Sequence, residues 1–228
     1  MRRTFILTFI SSLLLGSLPA VAGEVLDRIM AKVNGHAILQ SDWEDALRFE
    51  AFVDGHPPSP LTAAGAKAAF DRLIDQELLH QQIRSSDFQP ASKPEIAVRV
   101  EEIRKRYPEA KSESEWKLLL ARFGLTEDDL NTRLGLQLDT MRLIDAHLRP
   151  AVNVDSQSIA SYYNQQLLPQ LLRSGKQPVP LADVTPRIKE LLTQKKMDQL
   201  LVAWLENLHA ASDIYIEPSA MVSRRQVR

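Results

Sequence analysis

The 228-residue sequence contains no cysteine, which excludes disulfides, thiolate metal ligands, a thiol nucleophile and lipid attachment through a cysteine. The 28 basic and 29 acidic residues nearly balance, so the chain lacks the basic excess of a dedicated nucleic-acid binder, and we expect no nucleic-acid partner. It has only 8 glycines, and 44% of its residues are hydrophobic. This composition is typical of a folded chain rather than a disordered one, and it favours helix.

The first 22 residues have the order of a secretory signal peptide. Arg2 and Arg3 precede an apolar run of about 14 residues, and small residues follow at Ala20 and Ala22. An uncleaved anchor would need about 20 apolar residues, so we favour cleavage after Ala22. Removing 22 residues, two of them arginine, from the 228 leaves 206 residues with a net charge of −3. We therefore expect an exported protein without stable membrane insertion.

The patterns predict a mainly α fold with a small antiparallel sheet. Residues 25–39 alternate in polarity around Asn34-Gly35, a dipeptide typical of the tight turn in a β-hairpin. Residues 213–217 alternate in the same way and predict a third strand. A lone hairpin is marginally stable, so we expect this strand to join it and to bring the two ends of the chain together.

Helices are predicted from apolar spacing and from their first residues. Capping boxes begin at Ser41, Ser92 and Ser112, and the sequence from Thr126 approximates one. The predicted helices span 41–53, 63–85, 93–106, 113–123, 127–148, 155–167 and, starting at Leu181 or Asp183, a long segment to 211.

These elements suggest a division of the chain into five parts. They are the signal peptide (1–22), an N-terminal domain (23–150), a helix and linker (151–180), a long helix and strand that pack back on the N-terminal domain (181–217), and a flexible tail (218–228).

The usual motifs of catalysis are missing from the sequence. It contains no nucleophile elbow, no phosphate-binding glycine loop and no paired histidines at metal-ligand spacing. We therefore expect no enzyme, no catalytic, cofactor-binding or metal-ligating residues, and no cofactor. Glu77 lies within an apolar helical stripe. It is either a polar contact for another segment or a half-buried acid paired with a nearby arginine or lysine.

Two helices carry more apolar surface than one core face requires. Helix 127–148 has a second stripe at Leu136 and Leu143, and the long C-terminal helix changes its apolar face near residues 193–196. Surplus apolar residues of this kind would form a groove for extended polypeptide. The candidate client-binding residues are Phe49, Phe52, Leu136, Met141, Leu143 and Trp204.

Several segments, in order, resemble the SurA-like family of periplasmic chaperones, whose relatives include PpiD- and PrsA-type proteins. The segment 27–42 (DRIMAKVNGHAILQSD) resembles the family's opening hairpin and helix start, and 70–79 (FDRLIDQELL) resembles its next helix. Residues 125–134 and 154–164 match later helices. The long helix ending in Trp204-Leu205 and the strand 214–216 resemble the family's C-terminal element.

The chain departs from this family at the position of the parvulin prolyl-isomerase domain. Only residues 165–180 separate the matching helix from the long helix, too few for such a domain. The resemblance therefore implies a SurA N-terminal-type chaperone module without its isomerase.

The resemblance implies an ATP-independent periplasmic holdase, which binds unfolded outer-membrane or secreted polypeptides and needs no metal. Two alternatives stay open. One is an accessory subunit dedicated to a single secreted partner, or a homodimer. The other is a residual prolyl isomerase, as the family name suggests.

Overall fold

A computed structural model describes residues 27–56, 62–85 and 88–218. The chain is mainly α-helical with one three-stranded antiparallel sheet, which confirms the predicted fold class. The predicted signal peptide and the predicted tail beyond Pro218 lie outside the described residues.

The strands and helices follow one another in the predicted order. The elements are β1 (Ile29–Val33), β2 (His36–Leu39), α1 (Gln40–Asp54), α2 (Ala63–Ser85), α3 (Lys93–Arg104), α4 (Glu113–Arg122), α5 (Glu127–Leu148), α6 (Ser156–Tyr162), α7 (Leu168–Arg173), α8 (Leu181–Ala210) and β3 (Ile214–Ile216).

The helix predicted over 155–167 differs from the observed structure. After α6 the chain continues through a π-helical turn, Tyr163–Leu167, into α7, so helical backbone extends past Pro169. Pro169 lies in the first turn of α7, where a missing backbone N–H is tolerated. Helical backbone therefore continues beyond the end of the helix predicted over 155–167.

The sheet has the strand order β2-β1-β3, and both pairs are antiparallel. Asn34 and Gly35 have φ angles of 51° and 83°, the left-handed backbone that a tight hairpin turn requires. β3 pairs with β1, and Lys32 faces Tyr215. The predicted third strand is confirmed, and it joins the C-terminal end of the described chain to its N-terminal hairpin.

The Asn34 side chain fixes this junction. Its Nδ2 donates to Gln81 Oε1 on α2 at 2.7 Å and to Ser212 Oγ at 3.2 Å. Its Oδ1 accepts from the backbone N–H of Asp213 at 2.8 Å. One amide therefore connects the hairpin turn, α2 and the segment that leads into β3.

Helix starts largely follow the predicted caps. The backbone N–H groups of Ser92, Ser112 and Thr126 each donate to the carboxylate three residues later, as a capping box requires.

Helix α1 is the exception to these capping predictions, because Ser41 is already inside it. There the Asp42 carboxylate accepts from the backbone N–H of Leu39 at 2.8 Å, while the Ser41 hydroxyl bonds to Asp27. The helix therefore starts one residue before the predicted box.

Buried apolar residues form two clusters. One joins β1, β2 and α2 and includes Met30, Val33, Ile38, Phe70, Ile74 and Leu78. The other joins α1, α3, α4 and α5 and includes Phe52, Ile103, Tyr107, Trp116, Leu120, Phe123, Leu130 and Leu134.

Phe52 lies in the second cluster with 0% of its surface exposed. Its ring stacks on Tyr107 at a centroid distance of 5.2 Å and meets Phe123 edge-on at 5.3 Å. The expectation that Phe52 contacts a client is therefore corrected. The residue is enclosed by aromatic neighbours from outside α1, and it belongs to the core.

Helix α8 buries different faces in its two halves. Ile188 and Met197 are both buried, although nine positions at about 100° each place them on opposite sides of the helix. Leu208 packs against the sheet cluster, and His209 Nε2 lies 2.6 Å from Asp75 Oδ1 on α2. The predicted change of apolar face is confirmed.

We expect Asn34→Gly to lower the free energy of unfolding by about 1–2 kcal/mol, because it keeps the left-handed turn and removes the amide hydrogen bonds. Asn34→Ala should lose about 1 kcal/mol more, since it also strains the backbone. Urea unfolding measures both variants. An Asn34→Gly variant as stable as the wild type would contradict the role of this amide.

We expect Phe52→Ala to lower the free energy of unfolding by about 3–5 kcal/mol, because it leaves a cavity among tightly packed rings. Phe49→Ala, three residues earlier and only half-buried, is the matched control and should lose clearly less. Equal losses in urea unfolding would show that Phe52 is not the core residue.

Candidate functional site

A cleft of about 460 Å³ opens between α1, α2 and α5, with β2 contributing two residues. Its described lining residues are His36, Ile38, Asp42, Ala46, Phe49, Glu50, Val53, Asp54, Leu73, Gln76, Glu77, His80, Arg133, Leu136, Gln137, Thr140 and Met141. Its volume falls within the range of sites that bind small molecules or side chains.

Helical spacing explains how each wall forms. On α1, Asp42, Ala46, Phe49 and Val53 recur every three or four positions and so share one face. The lining residues of α5 recur in the same way from position 133 to position 141. The cleft therefore extends along both helices rather than across one turn.

Ion pairs hold the three helices around the cleft. Arg133 on α5 lies 3.2 Å from Asp45 on α1, and its guanidinium sits 5.8 Å from the centre of the Phe49 ring. Arg72 on α2 lies 2.8 Å from Glu50 on α1. Both pairs are partly exposed, so they orient the walls more than they stabilise the fold.

Three predicted client-binding residues lie along this cleft. Phe49 projects from α1, while Leu136 and Met141 project from α5 and are 40% and 59% exposed. Val53 lines the same cleft and belongs to the core cluster. The cleft is thus continuous with the core, and the side chains of Leu136 and Met141 at its border are open to solvent.

The other predicted residues lie elsewhere. Leu143 is half-buried on α5 and does not line the cleft. Trp204 on α8 stacks on His147 of α5, with ring centroids 4.2 Å apart, so its contact joins two helices. With Phe52 in the core, the structure brings together Phe49, Leu136 and Met141 and separates them from the remaining three.

Glu77 is a buried carboxylate at one end of the cleft, 8% exposed. Its Oε1 accepts from Gln81 Nε2 at 2.8 Å and from Arg84 Nη2 at 2.7 Å. Its Oε2 lies 3.8 Å from His36 Nε2, beyond hydrogen-bonding distance. The pairing with Arg84 is the one that the ion-pair interpretation expected.

The sequence interpretation missed the polar part of the lining, including His80. Burial lowers the pKa of His80, and nearby Arg84 adds to this effect, while Glu77 and Asp139 act to raise it. The sequence signal that could have identified His80 is its position three residues after Glu77, on the same face of the helix. His80 therefore favours the neutral imidazole in the folded protein.

Within 27–56, 62–85 and 88–218, no group of three metal-ligating side chains is placed to hold an ion. Over the same ranges, no helix has the length and apolar character needed to cross a bilayer. The cleft lining places apolar side chains beside neutral amides and carboxylates.

We expect the wild-type protein to lose stability as the pH falls through about 6.5, because the unfolded chain then binds a proton that folded His80 resists. The contribution of neutral His80 to stability is fully present above that pH. In urea unfolding, the His80→Gln variant should lose less free energy of unfolding than the wild type between about pH 7.5 and 5.5. His56→Gln, at an exposed position, is the control and should follow the wild type. Identical pH profiles for all three proteins would contradict this assignment.

Comparison of the sequence with models of protein families and with curated proteins finds no match.

Proposed function

We propose that the protein is an ATP-independent chaperone of the periplasm that holds unfolded outer-membrane or secreted polypeptides in the cleft between α1, α2 and α5. The observation that carries this proposal is the cleft itself. It is open, about 460 Å³ in volume, and bordered by the exposed side chains of Leu136 and Met141 beside Phe49. The resemblance to SurA-like chaperones in the sequence is a second support.

Apolar burial is the source of affinity in this proposal. Leu136 and Met141 are exposed in the free protein, and covering apolar surface stabilises a complex by about 25 cal/mol per Å². Methionine adapts its shape to different partners, and this suits a site that accepts many sequences. An open cleft also limits the area that a client can bury, so binding stays modest and reversible.

Neutral amides give the cleft a way to bind polypeptide backbone. Gln76 on α2 and Gln137 on α5 both line it, and each side chain has an acceptor and two donor hydrogens. An extended client exposes backbone N–H and C=O groups that lose water on binding. Amides on two walls can replace that water whatever the client sequence is.

The test is suppression of light scattering by an aggregating, denatured outer-membrane protein. We expect the wild type to suppress aggregation at equimolar concentration without ATP. Leu136→Ser combined with Met141→Ser should weaken client binding about thirtyfold, since each change removes about 1 kcal/mol of apolar burial. The side chains are 40% and 59% exposed, so the variant should lose little stability, and urea unfolding checks that it is folded in the assay.

The matched control is Val98→Ser combined with Leu118→Ser. These residues are 62% and 64% exposed on α3 and α4, and they do not line the cleft. We expect this variant to suppress aggregation as well as the wild type does. Equal losses in both variants would move client binding away from the cleft. A wild type that does not suppress aggregation would overturn the chaperone proposal and favour a subunit dedicated to one partner.

A further inference from the structure

The charged groups along the cleft are mostly acidic. Four carboxylates line it, from Asp42, Glu50, Asp54 and Glu77, against the single guanidinium of Arg133. Arg133 already pairs with Asp45 and lies over the Phe49 ring, so its charge is partly compensated. A basic ligand would therefore meet favourable charge along most of the lining.

Two of the four carboxylates have a cation as partner and two do not. Glu50 pairs with Arg72, and Glu77 pairs with Arg84. In the part of the chain that the structure describes, neither Asp42 nor Asp54 forms an ion pair. Asp42 only accepts the backbone N–H of Leu39. Asp42 and Asp54 are therefore the two described lining carboxylates without an ion-pair partner.

Asp42 and Asp54 stand at opposite ends of the α1 wall. Twelve positions of helix at about 1.5 Å each place their backbones about 18 Å apart. An extended chain covers this distance in about five residues, at roughly 3.3 Å per residue. Phe49 lies between the two on the same wall, facing the cleft that Leu136 borders from α5.

We infer that the preferred occupant of the cleft is an extended polypeptide segment with apolar side chains in its middle and a lysine or arginine at each end, about five residues apart. This inference rests on the proposed chaperone function, and it names the class of client segment. The central side chains cover Phe49 and Leu136, and the basic ends reach Asp42 and Asp54.

Glu77 adds an acceptor at the β2 end of the same cleft. Its Oε1 accepts from Gln81 and Arg84, while among the described residues no side chain hydrogen-bonds to Oε2, and the His36 imidazole lies 3.8 Å from it. A donor from a bound segment can approach this oxygen without breaking the ion pair. The acceptor strengthens the preference for donors over acceptors in the client.

The test is fluorescence anisotropy with labelled peptides that share one apolar centre and carry two lysines, two glutamines or two glutamates about five residues apart. We expect the lysine peptide to bind about fivefold more tightly than the glutamine peptide, and the glutamate peptide to bind most weakly. About 0.5 M salt should bring the three affinities together, because these carboxylates are exposed to solvent. A peptide with two adjacent lysines should lose most of the advantage.

Variants assign the effect to the two carboxylates. Asp42→Asn and Asp54→Asn should each lower the preference for lysine about twofold and leave the glutamine peptide unchanged. Asparagine still accepts the Leu39 N–H, so the start of α1 is kept. Glu206→Gln, which removes a charge from α8 outside the cleft, is the control and should change nothing.

The possible results distinguish failure of this inference from failure of the proposed chaperone function. If no peptide binds and aggregation is not suppressed, the chaperone proposal fails. Equal binding of the lysine, glutamine and glutamate peptides would overturn the charge preference alone. Equal binding of spaced and adjacent lysines would overturn the spacing. A dimer that the peptides dissociate, and that the cleft variants abolish, would identify a second copy of the chain as the occupant and overturn the inference.

Discussion

A short chain of hydrogen bonds from the hairpin turn into α2 determines where the sheet and the cleft lie relative to each other. Asn34 donates to Gln81, whose own amide nitrogen donates to the Val33 carbonyl and to Glu77. Glu77 then accepts from Arg84. These links run from a turn at the sheet edge to a carboxylate in the cleft, so the position of α2 on the sheet also positions the end of the cleft.

The cleft is the open edge of the helical core. On α1, Val53 lines the cleft and belongs to the core, and Phe52 beside it is enclosed while Phe49 is half-buried. The difference comes from aromatic side chains outside α1: Tyr107 stacks on Phe52 and donates its hydroxyl hydrogen to the Phe52 carbonyl, and Trp116 and Phe123 also contact the Phe52 ring. A continuous apolar face on α1 is thus divided by what the other helices cover.

This division explains what the sequence could and could not predict. Caps and turns act over three or four residues, and the starts of the helices after Ser112 and Thr126 were predicted from the residues at those starts. Phe49 and Phe52 share one face of α1, and the aromatic residues that separate their roles, such as Tyr107, lie far away in the chain. Local periodicity cannot contain that information. The same limit applies to Trp204, whose partner His147 lies on another helix.

The cleft also depends on residues that do not line it. All of its described lining residues lie between His36 and Met141, and its β2 wall is an edge strand of the sheet. β1, the central strand, is paired on its other side by β3 at the end of α8. Without β3 the sheet would be a two-stranded hairpin, which is marginally stable by itself. The docking of α8 and β3 therefore supports the geometry of a site that they do not touch, and a client that stabilises the β2 wall must also favour the docked C-terminal strand.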